Sequence, residues 1–200
     1  IKNKMIVLYL TNKTASNRNK IPNFIKKKGD KVIIRSGKIS IKFLKKNNVN
    51  FIISDRYTHL IPKKIIDFKK NKIINFHNSY LPLNRGYHPL FWAIFNKTVL
   101  GVTIHLIDEG IDTGKIIYQK KIRYKSTDTL RVLYDKQRLT FFDLFKKNWS
   151  QIKKSNFKLK SNNKKKGSIR YKKDNKLFLK KLKNSWDTSV RDVQKIRINI

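Results

Sequence analysis

Short apolar runs alternate with lysine-rich segments over the first 76 residues of this chain. Met5–Leu10 (MIVLYL) is apolar throughout, which suits a strand covered on both faces. Lys31–Arg35 (KVIIR), Asn50–Ser54 (NFIIS) and Lys72–Phe76 (KIINF) predict three more strands. Between them, Ile21–Lys28 predicts a short helix stopped by Gly29. Ile39, Ile41 and Leu44 fit a weak helix ending at Lys46, and Pro62 can open a helix over Lys63–Phe68. Strands alternating with short helices predict an α/β fold with a parallel sheet. In such sheets ligands meet the chain beyond the carboxyl ends of the strands. Asp55–Pro62 and Asn75–Pro82 are expected there.

The pattern changes after Pro82. Pro89–Phe95 (PLFWAIF) predicts a short buried helix, and Val99–Ile107 and Lys115–Ile122 two further strands joined by an acidic loop. So short a connection implies an antiparallel excursion, and hence a mostly parallel but mixed sheet flanked by helices. Thr127 can cap a helix running to about Trp149, with Leu130, Leu133, Phe141, Phe145 and Trp149 largely on one face. Gln151–Gly167 has no periodicity and reads as a solvated, mobile linker. Ser168–Tyr171 then predicts a short extended piece, Asn175–Leu182 a helical turn or two, and Thr188–Ile198 a capped helix. The expected organisation is a catalytic domain over residues 1–150 and a basic linker with a short helical C-terminal extension over 151–200. No internal repeat is visible.

Composition narrows this picture in two ways. The formal net charge of +37 invites a polyanion partner. Yet lysines spread along the whole chain, arginine is scarcer, and Ile and Asn are abundant too, as A/T-rich codons alone would produce. Nucleic acid is therefore the less favoured partner, although the field should attract small anions. There is no Cys, which removes disulfides and thiolate zinc sites and suits the cytoplasm. No apolar run reaches a membrane span's length, so no membrane association is expected. Thr11–Lys20, after the first strand, holds no Gly, which argues against a phosphate-cradling turn at that point.

Candidate chemistry gathers between Ile73 and Gln119. Side chains alternate along a strand, so Asn75 and His77 leave the same face together. The run GVTIHLI delivers Asp108, Glu109 and Asp112 into a glycine-punctuated loop. An amide donor, an imidazole and a carboxylate to orient it suit moving an acyl group to an amine. His105, flanked by apolar residues on a strand, reads as structural.

The blocks Asn75-x-His77-x-Ser79-x-Leu81-Pro82, Arg85-Gly86-x-x-Pro89, Trp92-Ala93-Ile94, Gly101-Val102-Thr103-Ile104-His105 and Asp108-x-Gly110-x-Asp112-Thr113-Gly114 resemble the folate-dependent formyltransferase family. The resemblance is dense over about residues 50–120 and diffuse from 5 to 150. It implies a Rossmann-like formyltransferase fold, 10-formyltetrahydrofolate as one-carbon donor, and no metal. It makes Asn75, His77 and Asp112 the catalytic trio. Asn75 would donate to the developing oxyanion, His77 would take the amine proton or stabilise the intermediate, and Asp112 would hold His77. The pterin is expected against Tyr57, His59, Leu60 and Ile61 and against Leu106 and Asp108, largely through backbone groups. Ser79, Arg85, Tyr87 and His88 are expected to face the acceptor.

The acceptor is less legible. A methionyl-tRNA formyltransferase carries a further C-terminal barrel for which 200 residues leave no room. Glycinamide ribonucleotide formyltransferases lack the Arg-Gly-x-x-Pro…Trp-Ala-Ile pattern. That pattern and Gly167–Asp174 (GSIRYKKD) are most similar to the sugar-nucleotide N-formyltransferases, which act on nucleotide-linked amino-deoxysugars for surface polysaccharides. The resemblance therefore implies an aminosugar acceptor and is compatible with a homodimer. A methionyl-tRNA formyltransferase-like enzyme, or a non-catalytic basic nucleic-acid-binding relative, is the alternative.

Overall fold

A computed structural model describes residues 4–12 and 20–198, with the backbone alone at 175–177. Residues 13–19, most of the glycine-free stretch after the first strand, lie outside the described part. The first strand, β1 (Ile6–Leu10), has Val7, Leu8, Tyr9 and Leu10 all without exposed surface, as its unbroken apolar run requires. It pairs in parallel with β2 (Lys31–Arg35) and β3 (Phe51–Asp55), and β3 pairs in parallel with β4 (Ile73–His77). Then β6 (Gly101–Leu106) adds antiparallel to β4, and β7 (Ile116–Lys121) antiparallel to β6. The six-stranded order is β2-β1-β3-β4-β6-β7. The mixed sheet and its strands thus follow the sequence pattern to within a residue or two.

Alternation along the strands builds two helical layers. Val7, Tyr9, Phe51, Ile53, Ile74, Phe76 and Ile104 face α1 (Lys20–Lys27) and the long α5 (Leu130–Lys154), whose Phe141, Phe145 and Trp149 fill that side. Leu8, Leu10, Ile52 and Ile73 face α2 (Ile41–Lys46) and α3 (Lys63–Phe68), which contribute Leu44 and Ile65. Thr129, rather than Thr127, caps α5, its hydroxyl accepting from the Val132 N–H. One buried charge pair stitches the α5 side: Asp55, at the carboxyl end of β3, takes a bidentate pair from Arg138 at 2.7 and 2.6 Å and a hydroxyl from Tyr9.

The third cluster joins α4 (Pro89–Phe95) to the C-terminal part of the chain. Leu90, Trp92 and Ile94 pack with Leu130, Leu133, Phe178 and, from α6 (Val190–Lys195), Val190 and Val193. The Phe178 ring stacks on Phe91 at 3.7 Å.

The stretch 151–167 differs from the solvated linker expected. Helix α5 continues to Lys154, and the chain then returns along the sheet's edge as a strap. Lys160 exchanges two backbone hydrogen bonds with Ile116, at 3.0 and 2.8 Å. Further on, β8 (Ile169–Arg170) pairs in parallel with β5 (Arg85–Gly86). Composition concealed this because backbone groups do most of the docking, and a lysine-rich sequence can supply those as well as any other.

Candidate active site

Register explains the site. Asn75 and His77 lie on the β4 face opposite Ile74 and Phe76, and their antiparallel partners on β6 are His105 and Thr103. The pairing therefore puts His105 beside Asn75. On the other side of β6, the pairing with β7 shifts register at Ile104/His105, an irregularity common beside active sites.

Asp112 enters from the acidic loop and binds all three side chains. One carboxylate oxygen, Oδ1, accepts from Asn75 Nδ2 at 3.1 Å and lies 3.4 Å from His105 Nε2. The other, Oδ2, accepts the Gly86 backbone N–H at 2.9 Å and lies 3.3 Å from His77 Nδ1. The second ring nitrogen of His77 is 2.9 Å from the Asn84 carbonyl, and His105 Nδ1 is 2.7 Å from the Leu106 carbonyl. Asn75 Nδ2 is also 3.2 Å from His105 Nε2. A His105 ring that donates from Nδ1 to the Leu106 carbonyl presents Nε2 to Asn75 as an acceptor, whereas a proton on Nε2 faces Asp112 Oδ1. From the Asn75 nitrogen, its two acceptors lie roughly 60° apart, half the divergence of trigonal N–H bonds. One N–H is thus shared between them and the other stays available.

The electrostatics separate the two partners. Burial pushes the His77 imidazole below the ordinary histidine value, reinforced by His105 and Arg85 and opposed by Asp112 and the Asn84 carbonyl. Burial alone would raise Asp112, but His77, His105 and the Gly86 N–H hold it well below the usual carboxylate range. The attraction to His77 presupposes an imidazolium, whereas His77 itself favours the neutral ring. We resolve this in favour of burial at His77. The resting pair is neutral imidazole and ionised carboxylate, and the full ion pair forms only once His77 gains a proton. In either neutral tautomer one ring nitrogen faces an oxygen without a proton between them, so protonation relieves the site.

The remaining expected residues divide. Tyr57 donates its hydroxyl to the Gly37 carbonyl at 2.9 Å and packs edge-on against His59. Leu60 is 86% exposed, Ile61 packs against the α2–α3 core, and Leu106 is buried. Residues 57–61 make no backbone–backbone hydrogen bond to other described residues, leaving their peptide groups open to a ligand. Asp108 spends its carboxylate inside the loop, on the Gly110 N–H at 3.1 Å and the Thr113 hydroxyl at 2.5 Å. The loops holding the two expected pterin contacts are tied by Lys63–Glu109 at 2.8 Å.

On the acceptor side, Arg85 influences His77 and keeps a buried Nε without a hydrogen-bond partner, and Tyr87 is 41% exposed. Two of these residues are engaged by the chain itself. Ser79 has no exposed surface and donates to the Leu83 carbonyl at 2.7 Å, so it shapes the turn. His88, at the start of α4 with φ 48°, turns its ring onto Phe178 and Trp186. His105 is the residue sequence reasoning missed. The signal was the β4–β6 pairing, which an isolated strand does not reveal.

A crevice of about 230 Å³ lies between α1 and α5, lined by Lys20, Arg56, Asp135, Arg138 and the rings of Tyr134 and Phe142. It lies beyond the carboxyl ends of β1 and β3, where the strand order reverses. A larger cavity, about 470 Å³, sits among Met5, Asn50, Lys69 and Lys72 at the amino ends of the strands, away from the trio.

An imidazole, a carboxylate and an amide thus converge at the carboxyl edge of the sheet. The formyl transferase family model matches residues 10–141, and the chain belongs to that family. Among solved structures, the formyltransferase PseJ from Anoxybacillus kamchatkensis, in complex with UDP-4,6-dideoxy-4-formamido-L-AltNAc and tetrahydrofolate, is 35% identical. It superposes with a TM-score of 0.87, over 96% of this chain and 100% of that one. Methionyl-tRNA formyltransferase of Thermodesulfovibrio yellowstonii is 42% identical over 97 residues, 48% of this chain and 32% of that protein. GDP-perosamine N-formyltransferase of Brucella melitensis is 37% identical over 89 residues, 44% of this chain and 34% of that protein. The chain spans about a third to a half of the curated relatives' length.

Proposed function

We propose that the chain transfers a formyl group from 10-formyltetrahydrofolate to the primary amine of a nucleotide-linked amino-deoxysugar. The observation that carries formyl transfer is the Asn75–His77–Asp112 constellation in a chain of this family. The amine attacks the formyl carbon and an oxyanion develops. The free N–H of Asn75 stabilises that oxygen, a contact whose loss costs about 10²–10³ in rate in comparable sites. His77 takes up the proton leaving the amine, and Asp112 stabilises the imidazolium that results. Collapse breaks the carbon–nitrogen bond to the folate, whose N10 takes up a proton. The open peptide groups at 57–61 and the exposed Leu60 suit a flat, amide-bearing pterin.

The aminosugar acceptor is supported by similarity to PseJ along its full length. Charged initiator tRNA is the second reading, favoured by the net charge of +37 and by the methionyl-tRNA formyltransferases among the relatives. Soluble substrates of either kind place the reaction in the cytoplasm.

The test is formyl transfer to a panel of nucleotide-linked aminosugars, charged initiator tRNA and glycinamide ribonucleotide, followed by release of tetrahydrofolate. Turnover with an aminosugar, lost in Asn75→Ala and His77→Ala, is the expected result. Turnover with tRNA alone overturns the acceptor assignment, and a folded wild-type chain inert with every acceptor overturns the enzyme reading.

A further inference from the structure

We propose that Asn162, in the strap after α5, is a positioning residue for Asp112, so that this one buried side chain ties the strap to the site. This rests on the role given to Asp112 above. Asn162 is buried, whereas its neighbours Ser161, Asn163, Lys164, Lys165 and Lys166 are exposed. Its side-chain amide donates to the Asp112 carbonyl at 2.9 Å and to the Gly114 carbonyl at 3.0 Å. No other hydrogen bond among the described residues reaches either carbonyl. The Asn162 carbonyl oxygen is buried without a partner, an arrangement selected against unless the residue serves another end.

The turn that Asn162 grips is under constraint. Asp112 has φ 50°, in the left-handed region where a β-carbon is unfavourable by about 1 kcal/mol or more. Gly114 is pressed so close beneath the Leu106 carbonyl that a β-carbon would lie 1.8 Å from that oxygen. Two donors from outside the loop hold this conformation and aim the Asp112 carboxylate at His77.

The strap is fixed on both sides of Asn162. Lys160 pairs with Ile116, and Ser168 accepts the Arg85 N–H through its carbonyl at 2.9 Å. The Ser168 hydroxyl also accepts the Asn84 N–H, at 3.0 Å. Asn84 in turn carries the carbonyl that meets His77. One segment thereby references the loops behind both His77 and Asp112. A misplacement near 1 Å can cost about a hundredfold in rate.

The experiment is steady-state kinetics on the full chain, with 10-formyltetrahydrofolate and whichever acceptor turns over. Asn162→Ala should lower kcat about ten- to a hundredfold with both KM values within about twofold. Asn162→Asp, which sets carboxylate oxygens against two carbonyls, should do at least as badly. Asn162→Ser, keeping one donor, should recover part of the loss, and the exposed Lys164→Ala should match wild type. In an Asp112→Asn background, Asn162→Ala should add little. Wild-type activity in Asn162→Ala, or its full loss persisting in that background, overturns the proposal.

If no acceptor turns over, the enzyme reading above fails, and the placement of Asp112 by Asn162 is decided separately by proton resonances of the His77 ring. Asp112 raises the His77 titration while His105 and Arg85 lower it. Asn162→Ala, by letting Asp112 withdraw, should move that titration to lower pH. An unchanged midpoint overturns the proposal.

Discussion

Replacing Arg138 by Met tests how the buried charge at the end of β3 is held. Asp55 has no exposed side-chain surface, and Arg138 supplies two hydrogen bonds at 2.7 and 2.6 Å. The substitution leaves the Tyr9 hydroxyl and Arg56, whose Nε is 3.5 Å away on a partly exposed side chain. An uncompensated buried charge costs about 3–5 kcal/mol, a large share of the roughly 5–15 kcal/mol of a typical domain. For a chain of this size that corresponds to a melting shift of roughly 6–20 °C.

The loss should depend on pH. In the wild type burial raises the Asp55 carboxyl, but Arg138 and lesser partners more than offset it, so its folded value lies below the ordinary one. That contribution is present above about pH 4 and fades as pH falls below it. In Arg138→Met, burial loses its main opponent and the folded value rises above the unfolded one. The resulting penalty is absent below about pH 4 and grows toward neutrality. Denaturant melts of both proteins between pH 4.5 and 7.5 should therefore converge at the acid end. Asp55→Asn with Arg138→Met should recover much of the deficit, since no buried charge is then stranded. A loss under about 1 kcal/mol at pH 7, or one that ignores pH, would refute the reasoning.

Two further outcomes follow from the site. Gly86→Ala should cut turnover at least about tenfold, because a β-carbon there would sit 2.1 Å from the Arg170 carbonyl and displace the N–H serving Asp112. Its melt should fall as well, since Gly86 has φ 85° and the clash is with backbone, and a normal kcat would contradict this assignment. The acid limb of kcat/KM should have its midpoint below the ordinary histidine value near 6.5, and Asp112→Asn should move it lower still. A limb at or above the ordinary value would show that Asp112 outweighs burial at His77.

Much of this architecture follows from local pattern. Buried runs such as Met5–Leu10 have no amphipathic alternative, so the strands, the helices between them and the mixed sheet were legible from the period of apolar residues. Asn75 and His77 share a face because strand side chains alternate, which needs no tertiary information. Proximity across the chain was not legible. His105 looked structural until β4 and β6 paired and set it against Asn75 and Asp112. The sequence likewise did not show that Ser79 bonds within its turn or that the His88 ring meets Phe178 and Trp186. The strap was hidden most completely, since residues 156–170 dock largely through backbone groups and scattered side chains such as Phe157, Asn162 and Ser168, for which composition carries no periodic signal. Apolar spacing determined the elements because burying a face is a local, repetitive demand on sequence. Which polar group meets which was decided only by the packed fold, because a hydrogen bond depends on where two distant segments come to lie.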